Sequence, residues 1–259
     1  MLAVQTRPLN VVFAPLDAAL VPGENLEFFG GRTLVRLEWT HVYLGRWSSE
    51  DRRQIDAALP AAMHDRNLNH VLAQYFPHHR IASVFHGSQP GPVPPRQIDK
   101  AGVEAIVASL ALPGIATLLL PPGVVLSDGD VTSEQGLGGF HGSVGGRYYA
   151  VAVYSEGANG IVAFDEPWKN VCATLYHELQ EARTDPDVED AIRTGDNKYL
   201  GWYSPRGGEI GDIPIEEASS DLGAVFVEVP LANGGGTVPV QLMWSNAVSG
   251  PEGPIAEKH

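Results

Sequence analysis

A single cysteine, Cys172, in a chain of 259 residues rules out any internal disulfide. Stability must come from packing, because no cystine can staple the fold. Positive charge is also scarce. Lys and Arg number 17 against 31 Asp and Glu, giving a formal charge of −14 and a pI near 4.9. Neutralising phosphates needs clustered basic side chains, and here they are scattered, which excludes nucleic acid and anionic membrane surfaces as partners. No apolar run reaches the ~20 residues of a bilayer-spanning helix, so a soluble protein is expected. Nor does the N-terminus show a basic segment, an apolar segment and a small-residue cleavage site in order. Cytoplasm is one expectation for the compartment; secretion with a leader absent from this chain is the other. The serines lack a nucleophile-elbow pattern, and Gly138-Gly139 and Gly145-Gly146 lack the strand-then-helix setting of a phosphate loop. Serine-hydrolase and nucleotide chemistry drop out.

What is present is a mixed pattern of short strands and helices, read as an α/β (α+β) fold with a mixed sheet. The length suits one domain over 1–259, which divides naturally into an α/β part at 1–160 and a part at 161–259. Apolar or alternating runs predict strands at Leu9–Ala14, Thr33–Leu44, Ile81–Phe85, Thr117–Leu120, Arg147–Tyr154 and Gly160–Phe164. Helices are expected from Ser48 or Ser49 to Met63, from Asn67 to Phe76, and from an Asp99 cap to Leu110. Ser88–Pro95, rich in proline and glycine, reads as a loop. Near the end, Ala224–Val229 and Val238–Trp244 flank Asn233-Gly234-Gly235-Gly236, a hairpin signal. No internal repeat is found.

The most informative segment is His177-Glu178-Leu179-Gln180-Glu181. Pro167 suits the first turn of a helix through it, and Pro186 should end that helix at or before Asp185. At ~100° per residue, His177 and Glu181 project about 40° apart, on one side of the cylinder. Trp168, Val171, Cys172, Leu175 and Leu179 gather on the opposite, core side, which makes Cys172 a small packing residue. Ala173 and Thr174 are small and leave space above the polar pair. An HExxH helix carries two metal ligands one turn apart, with the intervening glutamate as general base for a bound water. Here Glu181 replaces the second histidine and Glu178 is the base.

A His–Glu pair at this spacing is often only a solvated surface contact. The density of carboxylates downstream shifts the balance. Asp185 closes the helix, and Gly207-Gly208-Glu209-Ile210-Gly211-Asp212 is a glycine-rich turn able to fold back over it. Catalytic zinc sites are usually completed by a ligand from a later segment, with one position left open. The candidate ligands are therefore His177, Glu181, Glu209, Asp212 and Asp185. The alternative for Glu209 and Asp212 is ordinary turn chemistry. A set with one nitrogen and two carboxylates is hard, so manganese, iron or calcium compete with zinc, although zinc is the first expectation. Tyr203 could donate to an oxyanion. Of the remaining histidines, His41, His64, His70, His78, His79 and His86 offer no second metal pair on one helix. His141, between glycines, is the best substrate-side candidate, although a core or surface role is commoner.

His41-Val42-Tyr43-Leu44-Gly45-Arg46-Trp47-Ser48 with Ile55-Asp56-Ala57-Ala58-Leu59, then Gly139-Phe140-His141, then His177 through Pro186, Trp202-Tyr203, Glu209-Ile210-Gly211-Asp212 and Val240 through Asn246 form an ordered series. In that order they resemble the plant EXORDIUM family and its bacterial relatives. The resemblance implies a zincin-like site at His177, Glu181, Glu209 and Asp212, and its plant members are linked to growth and the cell wall. Two departures stand out: Ile213-Pro214-Ile215 occupies the place where relatives commonly carry a cysteine, and the plant members' leader is missing. Two functions are expected from different classes. One is a zinc-dependent hydrolase, a metallopeptidase acting on peptide or protein, in a cell-wall setting if the plant link carries over. The other is a non-catalytic protein using a metal or carboxylate network as a staple while binding a cell-wall glycan or protein.

Overall fold

The computed structural model describes residues 25–256, so the strand expected at Leu9–Ala14 lies outside the described residues. The central strand, β1 (Arg36–Tyr43), explains the layering by itself. Successive side chains of a strand point to opposite faces. Leu37, Trp39 and Tyr43 enter one core while Val42 and the following Leu44 enter another, all of them buried. A strand covered on both sides reads as a nearly continuous apolar run, as this one does.

Around it lie β2 (Ala82–Pro90), β3 (Ile115–Leu119), β4 (Gly139–Val144) and β5 (Arg147–Ala152). Their order in space is β2-β1-β3-β5-β4. Four strands run parallel, and β4 closes one edge antiparallel to β5 with His141 opposite Ala150. The helices are α1 (Ser49–His64), α2 (Arg66–Leu72), α3 (Lys100–Ser109), α4 (Pro167–Thr184), α5 (Val188–Thr194) and α6 (Asp212–Ala218). Ser48 caps α1 by accepting from the Asp51 amide at 2.9 Å, and Asp99 caps α3 by accepting from Gly102 at 2.8 Å. Leu59 and Met63 of α1 pack with Cys172, Leu175 and Leu179 of α4 and with Trp39 beneath them. Val103 and Val107 of α3 pack on the other face against Val42, Leu118 and Val151. The result is an α/β fold of three layers, with α4 lying on the sheet. A hairpin of β6 (Phe226–Pro230) and β7 (Thr237–Gln241) brings Val238 and Val240 into the α1–α4 core. Among the described residues no helix is long and apolar enough to cross a membrane.

Several expectations need correction. The segment Ser88–Pro95 is not all loop, since β2 continues to Pro90. Gly87, at φ +95°, accommodates a shift in register, and an edge position tolerates a proline that cannot donate. Gly160–Phe164 is not a strand. Asn170 bonds its backbone instead, Oδ1 accepting from Ala163 at 2.9 Å and Phe164 at 2.8 Å. The helix expected to reach Phe76 ends at Leu72 and tightens into a 3₁₀ turn over Ala73–Tyr75. The strand expected over Val238–Trp244 breaks after Gln241, and Met243–Ser245 pairs with Gly250–Glu252. Finally, β4 was not anticipated, because its two glycines weaken local strand preference and only pairing with β5 makes it.

Candidate metal centre

Pro167 opens α4, where its missing amide hydrogen is no loss, and Asp185 caps the far end ahead of Pro186. From Asn170 to Thr184 every residue of the helix is buried. It therefore has three occupied sides where two were expected. The apolar side meets the core. A second polar side carries Gln180, Arg183 and Thr184, sealed against β1 and β2. There Arg183 donates from Nη1 to Val35 O at 3.3 Å and Ala82 O at 3.2 Å, and from Nη2 to Ser83 Oγ at 2.7 Å. Burial brings its pKa down to about 10. The third side holds His177, Glu178 and Glu181.

These three face a cavity of about 130 Å³ that is also lined by His141, Thr174, Tyr203, Glu209, Asp212 and Gln241. His177 Nε2 lies 3.0 Å from Glu181 Oε2, 3.6 Å from Asp212 Oδ1 and 4.0 Å from Glu178 Oε1. Its other nitrogen, Nδ1, bonds Gln241 Oε1 at the end of β7. Gln241 is fixed in turn by donating to Gly211 O at 2.5 Å. His141 enters from the edge strand β4. Its Nδ1 is 3.4 Å from Glu178 Oε2 and 3.6 Å from Glu181 Oε2, while Nε2 faces Asp185 O at 3.2 Å and Glu209 Oε1 at 3.7 Å. The turn before α6 closes over the pair. Gly211 donates to Glu181 Oε1 at 3.2 Å, and a Cβ there would stand 2.4 Å from His177 Nδ1. Only glycine lets the backbone come so close.

The electrostatics follow from four buried carboxylates sharing one cavity. Burial, reinforced by Glu181 and other acidic neighbours, holds Glu209 and Asp212 well above the usual carboxylate range. Burial likewise raises Glu178, although His141 and His177 oppose the shift. Burial would also raise Glu181, but the two imidazoles outweigh it and bring it down to about 2. Burial disfavours charge on His177, yet Glu181, Glu178 and Asp212 hold its pKa up at about 10. His141 is lifted well above its ordinary value against the same penalty, chiefly by Glu209. Such a crowd of acids around two imidazoles asks for positive charge. Glu209 Oε1 and Thr174 Oγ1 are buried here without a hydrogen-bond partner. The donors fit a divalent cation. Two groups, His177 with Glu181 and Asp212, and His141 with Glu178 and Glu181, each have their ligand atoms within 4.8 Å of one another.

No family model and no curated protein matches this sequence. Among solved structures, the chain is similar to archaemetzincin from Methanopyrus kandleri, at 15% sequence identity and a TM-score of 0.36. The likeness covers 56% of this chain and 72% of that one.

Of the residues singled out in the sequence, His177, Glu178, Glu181, Glu209, Asp212, Tyr203 and His141 all line the one cavity. Asp185 stands behind it, its Oδ1 accepting from the Gly201 amide at 2.9 Å. His141, 4% exposed, sits inside the carboxylate cluster. Its burial agrees with the commoner core role, and its neighbours there are carboxylates. His78 and His79 are exposed at a helix end. His41 is buried against Asp56, Nδ1 to Oδ1 at 2.8 Å, far from any second imidazole pair. Nothing in the sequence alone assigns a role to Gln241, whereas Gly211 belongs to the glycine-rich turn expected to fold back and Thr174 is expected to leave space above the polar pair. Gln241 and Gly211 also lie inside segments that carry the family resemblance. Ile213 and Ile215, where the sequence departs from the EXORDIUM pattern it resembles, are buried in α6.

Proposed function

We propose that the protein is a metal-dependent hydrolase of amide bonds, a metallopeptidase, with Glu178 as its general base. The observation that carries this reading is the approach of His177 Nε2, Glu181 Oε2 and Asp212 Oδ1 beside an open cavity, with Glu178 next to them. His177, Glu181 and Asp212 hold the ion, zinc in the first instance. When bound, that ion supplies Lewis acidity towards a water and the scissile carbonyl.

The chain's own residues do the rest. Glu178 takes a proton from the attacking water and passes it to the leaving amine; burial raises its pKa towards the range where both transfers are easy. Tyr203 lines the same cavity, and burial keeps its phenol protonated, so it donates to the developing oxyanion. Gln241 orients the His177 ring by accepting from Nδ1, which leaves Nε2 free to ligate. Beside the cavity runs β4, an edge strand with no further strand partner among the described residues. An extended peptide pairs with such an edge by strand addition, which supports a peptide as substrate. The order of motifs shared with the EXORDIUM family agrees with a metal site at these positions. The open cavity above Glu178 favours catalysis over a structural staple, whose ligand shell would be closed.

Protein purified without added metal and analysed for bound ions, alongside Glu178→Gln, tests the proposal. The expected result is unchanged metal content in the variant with peptide hydrolysis lowered at least ~100-fold. Equal turnover would remove Glu178 as base, and a wild-type protein that binds no divalent ion would sink the whole reading.

A further inference from the structure

We propose that the cavity takes a second divalent cation, on His141, Glu178 and Glu181, and that this ion arrests hydrolysis by engaging the general base. The inference rests on the metal reading of the His177 site and adds a regulatory site to it. Glu181 is the hinge of the argument, because it belongs to both ligand groups. Its Oε2 stands between the imidazoles, 3.0 Å from His177 Nε2 and 3.6 Å from His141 Nδ1. A carboxylate so placed bridges two ions.

Both histidines are prepared in the same way. A ligating imidazole generally donates its other ring N–H to an oxygen acceptor, which fixes tautomer and orientation. His177 gives Nδ1–H to Gln241 and turns Nε2 to Glu181. His141 is the mirror case, with Nε2 on the Asp185 carbonyl and Nδ1 turned to Glu178 and Glu181. Glu209 Oε1, buried and without a hydrogen-bond partner, lies 3.7 Å from the same Nε2. Thr174 Oγ1, also buried and unpartnered, lines the cavity.

The two ions are not equivalent in effect. Binding at the His177 group leaves the Glu178 carboxylate free. Binding at the His141 group occupies it, so it no longer accepts a proton. Hydrolysis is expected to rise and then fall as metal concentration increases.

Zinc and manganese binding to the full chain, followed by calorimetry and equilibrium dialysis, tests this without recourse to activity. Wild type should take up two ions, the second at least ~10-fold more weakly. His141→Gln should take up one, with the tighter site retained. Because a buried substitution can disturb folding, electron paramagnetic resonance of wild type with manganese gives a second readout. The signal should change from isolated to exchange-coupled ions between one and two equivalents. Saturation of wild type by a single ion, or two ions still bound by a folded His141→Gln protein, overturns the proposal while leaving the His177 site standing. Absence of all binding overturns both.

Discussion

Asp185 turns its carboxylate to a backbone amide, away from the cluster. Oδ1 accepts from Gly201 at 2.9 Å, and the buried Oδ2 has no hydrogen-bond partner. Burial pushes its pKa up to about 7 from an ordinary 3.8, against the pull of the Gly201 amide and His141. The sign of the consequence is fixed. Between these two values the unfolded chain has released the proton while the folded one keeps it, so stability falls as pH rises through the window. Below it the penalty is absent, and above it the penalty is complete. Asp185→Asn keeps the acceptor for Gly201 and removes the charge. Its urea-unfolding free energy should be flatter than wild type between pH 4 and 7, with a gain at neutral pH of at most ~4 kcal/mol. An unchanged slope would show that the carboxyl is ionised throughout.

At the scale of the element, α4 carries the candidate metal centre on one side and anchors the sheet on another. Arg183 makes that anchor, reaching carbonyl oxygens at the start of both β1 and β2. A planar fork spans several acceptors at once and an ammonium does not. Arg183→Lys should therefore cost ~2 kcal/mol or more in denaturant melts, since acceptors in the interior lose their donors. A change within ~0.5 kcal/mol, the range of ordinary surface substitutions, would show that solvent replaces the guanidinium. This helix was also the most legible element in the sequence. Its 3.6-residue repeat, its Pro167 start and its Pro186 stop are all local signals. Full burial of Gln180 and Arg183 was not legible, because it depends on β1 and β2, which lie far earlier in the chain. The same holds for β4: its register on β5, and hence the direction of His141, is decided by pairing across the sheet.

For the molecule as a whole, the α/β class could be read from alternating apolar runs, whereas the meeting point of four segments could not. Glu178 and Glu181 come from α4, His141 from an edge strand, Asp212 from the start of α6 and Gln241 from the β6–β7 hairpin. The glycine-rich turn and the family resemblance both suggested that Glu209 and Asp212 return to the helix; periodicity says nothing about a turn's destination. An ion that links such distant parts stabilises the folded chain alone. Saturation at a hundredfold excess over Kd is worth ~2.7 kcal/mol, or roughly 5–10 °C in Tm for a chain of this size. A chelator should reverse the shift. Because His177, with its pKa at about 10, must give up a proton to ligate, affinity should strengthen as pH rises towards that value. Calorimetry in buffers of different ionisation heat should then register protons released at pH 7. Metal that leaves Tm untouched would place the ion elsewhere.

The hydrogen bond from His177 to Gln241 joins residues 64 positions apart. During synthesis, then, the histidine leaves the ribosome well before the side chain that sets its tautomer. On the proposed reading, a nascent chain has no finished seat for a cation until the β6–β7 hairpin has docked. Cells that hold several transition metals would thereby offer the ion to a completed, size-selective receptacle, not to a loose imidazole that accepts whichever metal binds tightest.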